Sequence, residues 1–114
     1  MAERVLTTAS LTRHCNELLI LTVLEQEQKH GYQIARDIDQ LSGGYFQFNH
    51  GTLYPILHKL EKSGCIKGRW KQEGPKRKRK YYTLTAAGRK LLKQLQDDWS
   101  LFFRTLFTLT GGAK

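Results

Sequence analysis

The residues of this chain that could do chemistry are mostly cations, and they are crowded together. Ten fall between Lys59 and Lys80: Lys59, Lys62, Lys67, Arg69, Lys71, Lys76, Arg77, Lys78, Arg79 and Lys80. Only Glu61 and Glu73 oppose them, so the stretch carries a net +8 while all other residues together carry +1. A charge so localised suits a polyanionic partner, nucleic acid ahead of a membrane surface. Little other chemistry is on offer. The four histidines, His14, His30, His50 and His58, do not form a set at metal-ligand spacing, and neither do Cys15 and Cys65. No phosphate-binding loop and no nucleophile elbow occurs. The expectation is a binding protein that is not an enzyme and takes neither metal nor cofactor.

The cations must be carried by a small scaffold. The 114 residues fit one domain with a modest core, and 39% hydrophobic residues exclude a disordered chain. No apolar segment follows Arg4, so no signal peptide is expected. The longest apolar stretch, Leu18–Leu24, is interrupted by Thr22 and is far short of a membrane span. The reading is a cytoplasmic protein whose two cysteines are reduced and act as small buried groups.

Hydrophobic spacing divides the chain into elements. Residues 1–9 are polar and expected to fray, and Ser10 is placed to cap a helix running to about Gln28. In "KHGYQIARDIDQLSGG", Ile34, Ala35, Ile38 and Leu41 form an apolar stripe, and Gly43-Gly44 stops the helix. In "FNHGTLYPILHKLEKSG", Leu53, Ile56, Leu57 and Leu60 give a third helix ending at Gly64. Pro55 lacks an N–H and favours a helix start close before it. Thr52 is therefore the expected cap, with residues 49–51 leading in; Asn49 is the rival cap, one that would force a kink. After Gly64 the period changes to two. In "CIKGRWK", Ile66, Gly68 and Trp70 share one face, and Lys67, Arg69 and Lys71 the other. In "KYYTLT", Tyr82 and Leu84 alternate with Tyr81 and Thr83. These are two strands, joined through Gly74-Pro75 by a long, strongly basic tip. Thr85 caps a last helix whose Leu92, Leu95, Trp99, Phe102, Leu106 and Leu109 alternate by three and four, ending before Gly111-Gly112.

Three helices followed by a two-stranded hairpin is the order of a winged helix-turn-helix, mainly α with a small β-hairpin. There the third helix enters the major groove of DNA and the hairpin flanks it. Leu53, Leu57 and Leu60 would hold that helix to the core. His50, Gly51, Thr52, Tyr54, Pro55 and His58 would be left to face the double helix, with free N–H groups near the helix start available to phosphate.

Four stretches, "ELLILTVL", "HGYQIARDI", "GTLYPILHKLEKSGCIKGRW" and "RKYYTLTAAGRKLL", resemble the PadR family of transcriptional regulators across residues 17–92. The resemblance implies contact with DNA by Tyr32, Thr52, Tyr54, Pro55 and His58. Lys59 and the wing cations Lys76, Arg77, Lys78, Arg79 and Lys80 are expected at phosphates, and the tip "KRKRK" is more basic than the family's usual pattern. The single last helix resembles the small subfamily, in which that helix builds a dimer.

A chain this small cannot cover the seam of its last helix, which independently points to a homodimer. Residues 1–84 are then the DNA-binding part, and 85–114 the dimerisation helix and tail, in one compact unit. By resemblance the outcome is repression at a two-fold related operator. A small aromatic or phenolic effector would sit against Trp99 and Phe103, with Leu11 and Cys15 completing the walls. The alternatives are an architectural or RNA-binding winged helix, or a protein-interaction module built on the aromatic last helix.

Overall fold

The computed structural model of the chain describes residues 11, 12 and 15–112. Its elements are α1 (Asn16–Leu24), β1 (Lys29–His30), α2 (Gly31–Leu41), α3 (His50–Lys62), β2 (Ile66–Gln72), β3 (Lys78–Leu84) and α4 (Ala86–Thr110). The strands form an antiparallel sheet in the order β1-β3-β2. Ile20, Leu21 and Leu24 of α1, Ile34 and Ile38 of α2, and Leu53, Leu57 and Leu60 of α3 pack together with Ile66, Tyr82 and Leu84 from one face of the sheet. This is a winged helix-turn-helix: three helices around one core, with the β2–β3 hairpin as the wing.

Several elements depart from the sequence expectation. Helix α1 ends at Leu24, not near Gln28, because Lys29 and His30 are drawn into a short strand against Tyr82 and Tyr81. The expected cap at Ser10 and the fraying of residues 1–9 lie outside the described residues. Leu41 closes α2 79% exposed, one turn beyond the core edge reached by Ile38. Gly43 and Gly44 then turn the chain with φ of +62° and +85°, a region side-chain-bearing residues avoid.

The cap of α3 is Asn49, not Thr52. Its Oδ1 accepts the Thr52 N–H at 2.9 Å, and the helix runs through Pro55 as one element. Pro55 removes one backbone donor. The carbonyl that loses it, four residues back, belongs to exposed Gly51, where water can take its place. At the other end Gly64 (φ +82°) closes a Schellman turn: Cys65 N–H donates to the Leu60 carbonyl and Gly64 N–H to that of Glu61.

A tight corner joins α3 to α4. Thr85 Oγ1 accepts the Gly88 N–H at 3.0 Å, and its hydroxyl lies 2.6 Å and 3.0 Å from the carbonyls of Gly64 and Cys65. A Cβ on Gly88 would come within 2.0 Å of the Cys65 carbonyl oxygen, so only glycine allows this approach. Helix α4 then reaches the core through Leu92, with Leu91 and Leu95 partly buried beside it. Farther along, Leu101, Phe102, Phe103, Leu106 and Leu109 are exposed, Leu109 at 84%. The seam read from sequence is thus half used within the chain. Among the described residues no helix is long and apolar enough to cross a membrane.

Candidate nucleic-acid interface

Helix α3 has two unlike faces. Leu53, Leu57 and Leu60 are buried, whereas His50, Thr52, Tyr54, Pro55, His58, Lys59 and Lys62 are exposed. The exposed face is braced by ring contacts at its start. His50 and Tyr54 stack with ring centroids 5.5 Å apart and planes 3° from parallel. The Tyr54 ring lies against Gly31, the first residue of α2; a Cβ there would fall 2.4 Å from its hydroxyl oxygen. This explains the glycine of "HGY" in physical terms. Tyr54 remains 40% exposed, so it is at once a joint between α2 and α3 and a surface group.

Tyr32 stands beside it, 61% exposed, between the His30 ring at 6.3 Å and the Arg36 guanidinium at 5.9 Å. Tyr32 and Tyr54 share with the wing a cleft of about 620 Å³, walled also by Trp70 and by Arg77, Lys78, Arg79 and Lys80. Residues far apart in sequence and expected to share one ligand are therefore brought together. Thr52, Pro55 and His58 lie outside that cleft, on the open face of α3. Lys59 is held by Glu17 of α1 at 3.1 Å, though mostly in solvent.

The wing is shorter-tipped than its composition suggests. Pairing runs out to Gln72 opposite Lys78, so the loop is residues 73–77 and Lys78, Arg79 and Lys80 are strand residues. Gly74 (φ +89°) makes the turn, and Glu73 N–H donates to the Arg77 carbonyl at 2.6 Å. The Tyr81 hydroxyl donates to the Glu73 carboxylate. That hydrogen bond holds the Glu73 carboxyl below its ordinary value and the Tyr81 phenol above its own.

The wing cations are not equivalent. Lys76, Arg77 and Lys78 are exposed and form no salt bridge among the described residues. The Arg79 guanidinium reaches His30 Nε2 at 2.9 Å. Lys80 is paired with Glu61 at 2.8 Å.

His30 and Trp70 had not been singled out from sequence as site residues. His30, only 7% exposed, caps α2: its Nδ1 faces the Gln33 N–H at 3.3 Å, and the Gln33 side chain accepts the His30 N–H. Both ring nitrogens thus face donors. A neutral imidazole accepts at one nitrogen only, so the two contacts compete, and a protonated ring could accept neither. Burial first, then the Arg79 charge, hold His30 below the usual histidine range. A signal for His30 was present in "HGYQ", a cap-like residue three before a glutamine. Trp70 carried no comparable signal.

The residues expected at an effector lie on two helices or at their ends. Trp99 packs against Phe102 and Phe103 at centroid distances of 5.8 Å and 5.4 Å on α4. Leu11 and Cys15 touch each other, the thiol lying 3.9 Å from the Leu11 carbonyl, and burial raises the Cys15 thiol above its ordinary value. Cys65 is buried as expected, whereas Cys15 is half-buried; both are free thiols. Among the described residues no group of three or more His, Cys, Asp or Glu could hold a metal ion.

Residues 20–94 match the Transcriptional regulator PadR-like family. The chain belongs to this family. Membership sets it among transcriptional regulators and not among enzymes. A negative transcriptional regulator PadR from Bacillus subtilis (strain 168) is 35% identical over 80 residues, which are 70% of this chain and 42% of that protein. A transcriptional regulator from Clostridium thermocellum has a similar structure, with a TM-score of 0.80 and 28% identity over 86% of this chain and 95% of that one. Bacillus subtilis PadR in complex with operator DNA matches with a TM-score of 0.66 and 31% identity, over 71% of this chain and 46% of that one. This PadR-family chain thus spans less than half the length of the Bacillus subtilis protein.

Proposed function

We propose that this PadR-family protein is a cytoplasmic repressor that binds a two-fold related DNA operator as a homodimer. The observation that carries the reading is the cleft in which Tyr32 and Tyr54 meet the wing cations Arg77–Lys80, beside the polar face of α3. Such a surface offers phosphate contacts from Arg77, Lys78 and Arg79 of the wing and base-edge contacts from Thr52, Tyr54, Pro55 and His58. The relative solved with operator DNA supports the same assignment. In this reading the chain divides at Thr85 into a DNA-binding part and a dimerisation helix. Pairing of the exposed Phe102, Leu106 and Leu109 would set two copies of α3 into successive major grooves, about 10 bp apart.

Selection of bound sequences from a random duplex pool tests this. The expected result is an enriched palindrome. Enrichment of nothing, with equal affinity for all duplexes, would favour the architectural alternative.

A second reading, release by a small planar aromatic or phenolic effector, rests on the Trp99–Phe102–Phe103 ring cluster at the proposed interface. An effector can release DNA only by preferring one spacing of the two recognition helices. Titration of phenolic acids and planar aromatic cations into Trp70→Phe protein, where Trp99 is the remaining tryptophan, should quench its fluorescence and weaken operator binding. Quenching without loss of operator affinity would remove this reading.

A further inference from the structure

Lys80 points into a setting built from both α3 and the wing. Its Nζ donates to Glu61 Oε1 at 2.8 Å, while Glu61 Oε2 accepts the Gly68 N–H at 3.3 Å. The ammonium lies 5.6 Å from the Tyr82 ring centroid and 6.0 Å from that of Trp70. Gly68 is what admits it: a Cβ there would stand 2.2 Å from Lys80 Cε and 2.8 Å from Glu61 Oε2. One carboxylate on the recognition helix therefore holds both a backbone amide of β2 and a cation of β3. No other carboxylate among the described residues bridges α3 to the wing by a salt bridge.

We propose that Glu61 is a specificity-determining residue of the DNA-binding surface: it withholds Lys80 from phosphate and fixes the wing to the recognition helix in one register. The proposal rests on the DNA-binding reading above. Phosphate contacts add affinity for every sequence alike, and base contacts discriminate among them. A cation left free at position 80 would raise affinity for any duplex. A wing unpinned from α3 would also let phosphate contacts form while the helix sits out of register with the bases. Glu61 opposes both, at the cost of one of the five cations Lys76–Lys80. The hydrogen bond to Glu61 also raises the Lys80 ammonium above its ordinary pKa.

The test is a salt titration of binding to the selected operator and to a scrambled duplex. It uses the full chain and its Lys78→Gln, Lys80→Gln, Glu61→Gln and Glu61→Gln/Lys80→Gln variants, with thermal melting to verify folding. Lys78→Gln should reduce the salt slope by about 0.9, the share of one phosphate contact. Lys80→Gln should leave it unchanged. Glu61→Gln keeps an acceptor for the Gly68 amide but releases Lys80. It should steepen the slope on both duplexes by about 0.9 and narrow the operator-to-scrambled affinity ratio by about tenfold. In the Lys80→Gln background the same change should leave the slope alone, because Glu61 acts on it through Lys80. A Lys80→Gln slope that falls as far as that of Lys78→Gln overturns the proposal, and this comparison decides even if Glu61→Gln fails to fold. An unaltered slope and ratio in folded Glu61→Gln overturns it too. Wild-type protein that binds neither duplex sinks the DNA-binding reading itself, a different result from binding with the wrong slopes.

Discussion

Helices α3 and α4 both carry an apolar stripe, and the chain treats them differently. The stripe of α3 is consumed internally: Leu53, Leu57 and Leu60 are buried, and the face left over is polar, aromatic and cationic. The stripe of α4 is consumed only as far as Leu95, and the face left over is Leu101, Phe102, Phe103, Leu106 and Leu109. A helix announces its outside partner by what its own fold does not use. The remainder on α3 suits a hydrated polyanion. The remainder on α4 suits another apolar surface, and the one always present at matching concentration is a second copy.

The comparison breaks if the two stripes respond alike. Leu57→Ala should lower fold stability by about 2–5 kcal/mol at any protein concentration, as a cavity left in a close-packed core does; thermal melting reads this directly. Leu106→Asp should spare the monomer and weaken self-association by about 2–4 kcal/mol. Sedimentation should show a monomer, and the melting temperature should lose its dependence on concentration. If Leu106→Asp instead unfolds the chain, α4 is serving the core and the contrast with α3 is false.

Smaller effects sharpen the α3 side. Asn49→Ala removes the cap of the recognition helix and should cost about 1 kcal/mol. Thr52→Ala should cost less, because only the Thr52 backbone takes part in the cap. The smallest effect is that of pH. His30 has its pKa lowered on folding, by burial and then by Arg79. The unfolded chain therefore binds the proton more readily, and the stabilisation is complete above the unfolded pKa of about 6.5. It should diminish as pH falls below that value toward the folded one. His30→Asn keeps a good cap without a titrating group and should flatten this part of the melting-temperature profile. A profile identical to wild type would show that His30 does not titrate differently on folding.

What the sequence disclosed, and what it hid, follows from the range of the forces involved. Gly64, Thr85 and the inward leucines of α3 were legible because caps and amphipathic spacing are local. The cap of α3 was misplaced because Pro55 was weighed as a first-turn residue, although a missing donor six residues beyond the cap is harmless where the orphaned carbonyl is in solvent. Strand β1 was invisible: two residues show no period, and Lys29-His30 is a strand only because Tyr81-Tyr82 pairs with it. The run Lys76–Lys80 looked uniform, since composition cannot reveal that Arg79 meets His30 and Lys80 meets Glu61 across the fold. The cleft that gathers Tyr32, Tyr54 and the wing had members foreseen one by one, but two residues of its wall, His30 and Trp70, join only through tertiary contact.

The corner at Thr85 has a mechanical meaning. Its hydroxyl meets the carbonyls that end α3 and caps the first turn of α4, and Gly88 brings the two backbones together with no side chain between them. A joint of this kind holds the start of α4 close against the end of α3. The 25 residues of α4 make a lever about 37 Å long at 1.5 Å per residue, anchored at its N-terminal end to the recognition helix. A tilt of about 5° at that anchor displaces the far end of such a lever by about 3 Å. Run in reverse, a sideways push between the aromatic rings near its tip would reach Gly64 as torque on the end of α3.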